Sequence, residues 1–277
     1  MVRTPKGNCH HRIPVIKYKM VFYKQKGGPA MKNTKRAALA ALLICLLLCA
    51  CGAEPIPEQD GELKLEKTFS DKGVEYFEAR VVLPRFKEQG DRSAAINTVL
   101  NRELERLTSY VGDELAPFAL ESYQNAREFG YDFPGAYYTM DAAIDRCDAK
   151  CVSLTGVSSA YLGGTHPDNW LESWSFDEKG RQLTLDDLFS VPEDEYLGRI
   201  RDLVLKQIDE RKLIPELYPD YAETLTETAY DTSDFIPREE CLTVYWQDYA
   251  IGPHSTGMLL FDLPWSDLGD ILAEGWK

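Results

Sequence analysis

Residues 62–69, Glu62-Leu63-Lys64-Leu65-Glu66-Lys67-Thr68-Phe69, alternate between polar and apolar side chains except at Lys67, and after Ser70-Asp71-Lys72-Gly73 the alternation resumes over residues 74–82. A period of two gathers the apolar side chains on one face only in a strand. The stretch therefore commits the chain to a hairpin with one wet face and one face that needs a cover.

The cover follows directly. From Asp91 or Ser93 as cap, Ile96, Val99, Leu100, Leu104 and Leu107 recur at helical spacing, with Asn97, Arg102, Glu103 and Arg106 expected on the other side. Pro117 is expected to break or restart this helix before a second piece over 118–129, in which Tyr123 and Phe129 are expected in the core. The turn-rich Tyr131-Asp132-Phe133-Pro134-Gly135 suggests a boundary, with an N-terminal hairpin-plus-helix unit over 62–133 and a C-terminal unit over 134–277.

The C-terminal unit opens with strands at 136–147 and 151–161, reaches Gly163-Gly164-Thr165-His166-Pro167-Asp168, and continues as a strand carrying Trp170, Trp174 and Phe176 on one face. Alternate aromatics more often pack a sheet than bind sugar. Residues 193–212 read as an amphipathic helix with Tyr196, Leu197, Ile200, Leu203, Val204 and Ile208 inward. Strands at 241–247 and 258–263 flank a loop over 248–257, and a short helix closes the chain. The fold class is α+β: antiparallel sheets packed by a long helix in the N-terminal half and an amphipathic helix in the C-terminal half.

The N-terminus points to export. Residues 31–51 have the form of a bacterial lipoprotein signal: Lys32, Lys35 and Arg36, then an apolar run over 37–48, then Leu48-Cys49-Ala50-Cys51. Cys51 is the expected lipidation site, Met31 the expected start of translation within a 1–50 leader and signal segment, and the Pro- and Glu-rich 51–61 a tether. Ten of the 31 Lys and Arg, and none of the 45 acids, lie in residues 1–50, which leaves 21 bases against 45 acids beyond them, a net charge of −24. That surface repels nucleic acid and attracts cationic partners. The expected placement is the outer face of the cytoplasmic membrane.

Three cysteines follow Cys51. Cys147-Asp148-Ala149-Lys150-Cys151 reads as a three-residue hairpin loop with opposed thiols, and a disulfide or a pair of buried thiols is favoured over a metal site. The histidines beyond residue 51 are His166 and His254, each in a glycine-bearing loop. With Asp168 they form the candidate set for an envelope hydrolase or metal-dependent deacetylase. The chain has no H-E-x-x-H, no G-x-S-x-G and no cysteine beside a histidine after residue 51, so neither a metal, a cofactor nor an enzymatic activity is expected.

Gly163-Gly164-Thr165-His166 after a strand, the Leu183-Thr184-Leu185-Asp186-Asp187-Leu188-Phe189 run, Tyr249-x-Ile251-x-Pro253-x-x-x-Gly257 and Leu263-Pro264-Trp265 resemble the extracellular domain of the anti-sigma-V factor family. A related domain precedes the catalytic domain of some peptidoglycan deacetylases, and residues 62 to about 130 resemble its companion domain of unknown function. The resemblance implies a lysozyme-binding domain whose ligand-binding loops hold Gly163, Gly164, His166, Tyr249, Pro253, His254 and Gly257. Pro167 and His254 depart from the family pattern, and sigma-factor regulation is not expected to transfer. The functional expectation is a lipid-anchored binding protein for lysozyme, another basic wall-acting protein or a wall polymer.

Overall fold

A computed structural model describes residues 54–227 and 234–276. The signal segment and residues 51–53, Cys51 among them, lie outside them, whereas the rest of the expected tether is described, and its last three residues, Gln59, Asp60 and Gly61, already belong to the first strand. Strands β1 (Gln59–Asp71) and β2 (Val74–Phe86) form the expected hairpin, closed by Lys72 at φ 51° and Gly73 at φ 82°. Two successive positive φ values match the right-handed twist of the flanking strands, so the two-residue turn fixes the register.

Helix α1 (Asp91–Tyr110) follows, then one wide π turn (Val111–Leu115), then α2 (Ala116–Phe129). Pro117 lies in the first turn of α2, and the widened turn before it keeps the two helices continuous. The N-cap of α1 is Gly90, not Asp91 or Ser93, and no side chain caps it, a loss of only about a few tenths of a kcal/mol, whereas Ile96, Leu100 and Leu107 are buried on the sheet and contribute roughly 1.5–3 kcal/mol each. Packing outweighs capping here. Two further expectations are corrected: Asn97 is buried, and Phe129 is 72% exposed. Asn97 is drawn inward because its Oδ1 accepts the Phe86 N–H at 2.9 Å and its Nδ2 donates to the Phe86 carbonyl at 2.7 Å, completing the end of β2. Phe129 is the last residue of α2, just before the left-handed Gly130.

The chain then returns as β3 (Ala136–Cys147), β4 (Val152–Tyr161) and β5 (Asp168–Phe176), giving one sheet in the order β1-β2-β3-β4-β5. The β2–β3 pair is parallel and the other pairs are antiparallel. A parallel neighbour requires a crossover, which α1 and α2 provide. The boundary expected near residue 134 thus falls between two hydrogen-bonded strands, and one core runs from Tyr76 to Phe176.

The β3–β4 connection is one residue longer than the sequence pattern suggests. Cys147 pairs with Val152, so Cys151 belongs to the loop instead of opposing Cys147. Asp148 organises that loop by accepting the Lys150 and Cys151 N–H groups, both at 2.8 Å. Both cysteines are free thiols: Cys147 donates to the Pro57 carbonyl, and burial pushes the Cys151 thiol up to about 12.

The second sheet is formed by β6 (Phe235–Pro237), β7 (Cys241–Trp246) and β8 (Leu259–Pro264). Its Leu242, Val244, Phe261 and Leu263 pack with Tyr196, Ile200, Val204 and Ile208 of α3 (Glu193–Glu210), as the helical period predicts. Its other side meets the face of β4 and β5 opposite α1. There Ser153 and Ser173 donate to the Pro237 and Phe235 carbonyls, each at 2.9 Å, and Leu171 joins Ile236 and Tyr245. Among the described residues no helix is long and apolar enough to cross a membrane.

Candidate functional site

The β4–β5 connection holds Gly163 at φ 102° and Gly164 at φ 139°, values that a side chain resists. A Cβ at Gly163 would also lie 3.2 Å from the Ser122 Cβ, so the turn sits close against α2. The Tyr161 hydroxyl donates to the Gly164 carbonyl at 3.1 Å. This folds the loop back and leaves His166 exposed at its tip.

The loop between β7 and β8 is pinned at several points. Ala250 N–H donates to the Gln247 carbonyl at 3.1 Å across a turn whose third residue, Tyr249, takes the left-handed φ of 64°. Ile251 is buried and its carbonyl accepts the Tyr218 N–H at 3.0 Å, while the Thr256 hydroxyl donates to the Glu216 carbonyl at 2.6 Å. The Gln247 side chain bonds both backbone groups of Leu171 in β5, which sets this loop beside the first.

The outcome is a shared cluster. The His166 and His254 rings stack with centroids 4.0 Å apart at 15°, and His254 also stacks on Tyr249 at 5.5 Å. His166 Nε2 lies 3.2 Å from the Tyr249 hydroxyl. His254 Nδ1 lies 2.5 Å from Asp248 Oδ2, and the Asp248 side chain is only 6% exposed. Partial loss of hydration, then the charges of Asp248 and Asp168, push the Tyr249 phenol above its ordinary value. The loop residues His166, Tyr249 and His254 thus meet, while Gly163, Gly164, Pro253 and Gly257 shape the backbone and present no functional group.

Asp168 touches neither histidine; it starts β5 opposite Ala160. The carboxylate that orients an imidazole is Asp248, which the residue pattern did not single out although it lies six residues before His254 in the same loop. Among the described residues no group of three or more His, Cys, Asp and Glu side chains is placed to hold a metal ion.

Beside the cluster, α1 and β5 bound a cleft of about 350 Å³ lined by Arg106, Tyr110, Tyr138, Asp168, Trp170 and Glu172, among others. Trp174 and Phe176 are buried under the helices, whereas Trp170 on the same strand face is 53% exposed. Trp174 and Phe176 thus pack the sheet, as alternate aromatics more often do, and Trp170 alone of the three is left uncovered. Arg106 donates to Glu172 at 2.9 and 3.0 Å and to Glu103 at 2.5 and 2.9 Å. Burial pushes the Glu172 carboxyl above its ordinary value despite that guanidinium. Burial, then the Glu172 charge, pushes the Tyr138 phenol up to about 12.

Residues 186–266 match the family model described as protein of unknown function DUF3298. That match runs from the turn before α3 through β8, so it includes Tyr249 and His254 but neither His166 nor the cleft. Two solved structures of the DUF3298 family share the architecture. One, from Pseudomonas aeruginosa PAO1, is 17% identical with a TM-score of 0.58 and covers 81% of this chain and 98% of its own. The other, from Bacteroides fragilis NCTC 9343, is 16% identical with a TM-score of 0.59 and covers 80% and 96%. None of the curated proteins matches the chain. At these identities the likeness shows the fold alone.

Proposed function

We propose that the chain is a lipid-anchored, extracytoplasmic binding protein whose partner is a cationic wall-acting protein such as lysozyme. The observation that carries this reading is the meeting of His166, Tyr249 and His254 from loops 83 residues apart. Stacked rings lose little conformational entropy on binding, and aromatic side chains on rigid supports make effective anchors at protein interfaces. The charge of −24 beyond residue 50 supports the choice of a basic partner, since steering of this kind raises the on-rate. Anchoring through Cys51 gives that surface its place outside the membrane.

Titration of the full chain with lysozyme at low and physiological salt tests the reading. Saturable binding, weakened about tenfold or more by Tyr249→Ala, supports it. The absence of saturable binding at either salt rules lysozyme out. Palmitate labelling that is lost in Cys51→Ala tests the anchor.

A second reading, an envelope hydrolase or metal-dependent deacetylase using His166 and His254, is favoured by the Asp248–His254 hydrogen bond, which orients an imidazole as general bases are oriented. Turnover of peptidoglycan that disappears in His254→Ala would establish it. Turnover that persists in that variant, or is absent from the unaltered chain, removes it.

A further inference from the structure

The geometry points to a second binding site: the cleft between α1 and β5 takes a pyranose ring of a glycan that is neutral or amine-bearing. The lining supplies both halves of what such a ring needs. Trp170 offers an indole face at the rim, 53% exposed, on a strand whose neighbouring positions Leu171 and Trp174 are buried and fixed. A large aromatic left uncovered on a rigid element is an anchor for an apolar face, and the C–H face of a pyranose is one. Inside the cleft, Tyr110 and Tyr138 meet edge to face at 6.1 Å.

The floor carries fixed polar groups. Glu172 is held by two bonds from Arg106, which Glu103 grips in turn, so the carboxylate and the guanidinium keep one orientation before any ligand arrives. Arg106 Nη1 takes no part in those bonds. Asn169 and Asp168 add an amide and a carboxylate near Trp170. Alternating donors and acceptors around an aromatic face match vicinal hydroxyls.

Other ligand classes fit less well. An aliphatic ligand would strip water from Glu172, Arg106 and Asp168 with nothing in return. A nucleotide or another anion faces Asp168, Glu172 and Glu103 against one arginine that two of them already engage. The same balance excludes a uronic acid and favours a neutral or amino sugar. A lone lysine side chain would leave Tyr110 and Tyr138 without a matching surface.

The site is separate from the loop cluster, so its test does not depend on a protein partner. The full chain, solubilised in a polyoxyethylene detergent that carries no sugar headgroup, is titrated calorimetrically with cellotetraose, the tetramers of N-acetylglucosamine and glucosamine, and tetragalacturonate. At least one of the first three is expected to bind saturably. Trp170→Ala, which removes an exposed side chain and should leave the melting temperature nearly unchanged, is expected to weaken that binding about tenfold or more, while His166→Ala leaves it as it was. Failure of all three to bind at concentrations up to about 10 mM, affinity unchanged in Trp170→Ala, or tighter binding of tetragalacturonate would each overturn the proposal.

Discussion

The Gln247 side-chain amide binds the backbone of Leu171 in both directions, donating to its carbonyl at 2.7 Å and accepting its N–H at 3.1 Å. One side chain thereby acts as an extra rung between the end of β7 and β5. The spacing of the two histidine loops is set there.

Gln247→Ala leaves both Leu171 groups without their protein partner in a partly buried place, at a cost of about 1–3 kcal/mol. Denaturant unfolding should register that loss. NMR contacts between the His166 and His254 rings should weaken with it, and contacts of undiminished strength would mean that the loops are placed by something else.

Tyr249 holds a left-handed φ of 64° that costs a non-glycine residue about 1–3 kcal/mol. Tyr249→Gly and Tyr249→Ala remove the same exposed ring, but only glycine relieves the backbone. The Gly variant is expected to melt at a higher temperature than the Ala variant, and under the proposed function both bind lysozyme less tightly than the unaltered chain. Equal melting temperatures would show that the turn bears no strain.

Asn97 satisfies both backbone groups of Phe86 from the neighbouring helix. Asn97→Ala should cost about 1–3 kcal/mol for each group left unpaired. A shift in the urea midpoint smaller than that of a typical surface substitution would argue that water replaces the amide.

Acid should destabilise the protein partly through Asp148. Burial works against its charge, but the Cys151 N–H, the Arg146 guanidinium and the Lys150 N–H outweigh burial and hold the carboxyl below its ordinary value. A pKa lower in the folded than in the unfolded state stabilises the fold above the ordinary Asp value of about 4, and that contribution is lost as pH falls through the folded value. Glu172 has the opposite sign, since burial raises it and acidification relieves the cost of its charge. Asp148→Asn should therefore flatten the fall in stability below about pH 4, as measured by urea midpoints across the acid range. An unaltered slope would assign the acid sensitivity to other carboxylates.

Much of this architecture is legible from local period. The β1–β2 hairpin, the inward face of α3 and the two loops each follow from residues close in sequence, because alternation and helical spacing are local signals. What escapes the sequence is set by partners far along the chain. Asn97 looks like a surface residue until Phe86 arrives, and Gln247 looks like loop polarity until Leu171 lies beside it. The pairing of β2 with β3 depends on how α1 and α2 route the chain over the sheet. Trp170 and Trp174 carry the same signal, and only the reach of the helical cover separates the exposed ring from the buried one. Asp168 stands two residues from His166 and Asp248 six from His254, so proximity in sequence favours the wrong carboxylate as the imidazole's partner.

The parallel β2–β3 pair has a consequence for folding during synthesis. A chain that emerges N-terminus first completes the hairpin early, yet β2 keeps one edge of unpaired backbone groups until the whole crossover and then β3 have followed. During that interval the hairpin is an incomplete template that other strands can join. Chains halted within α2 should therefore accumulate as aggregates, and timely folding of this protein should depend on a chaperone that shields strand edges until Ala136 to Cys147 takes its place.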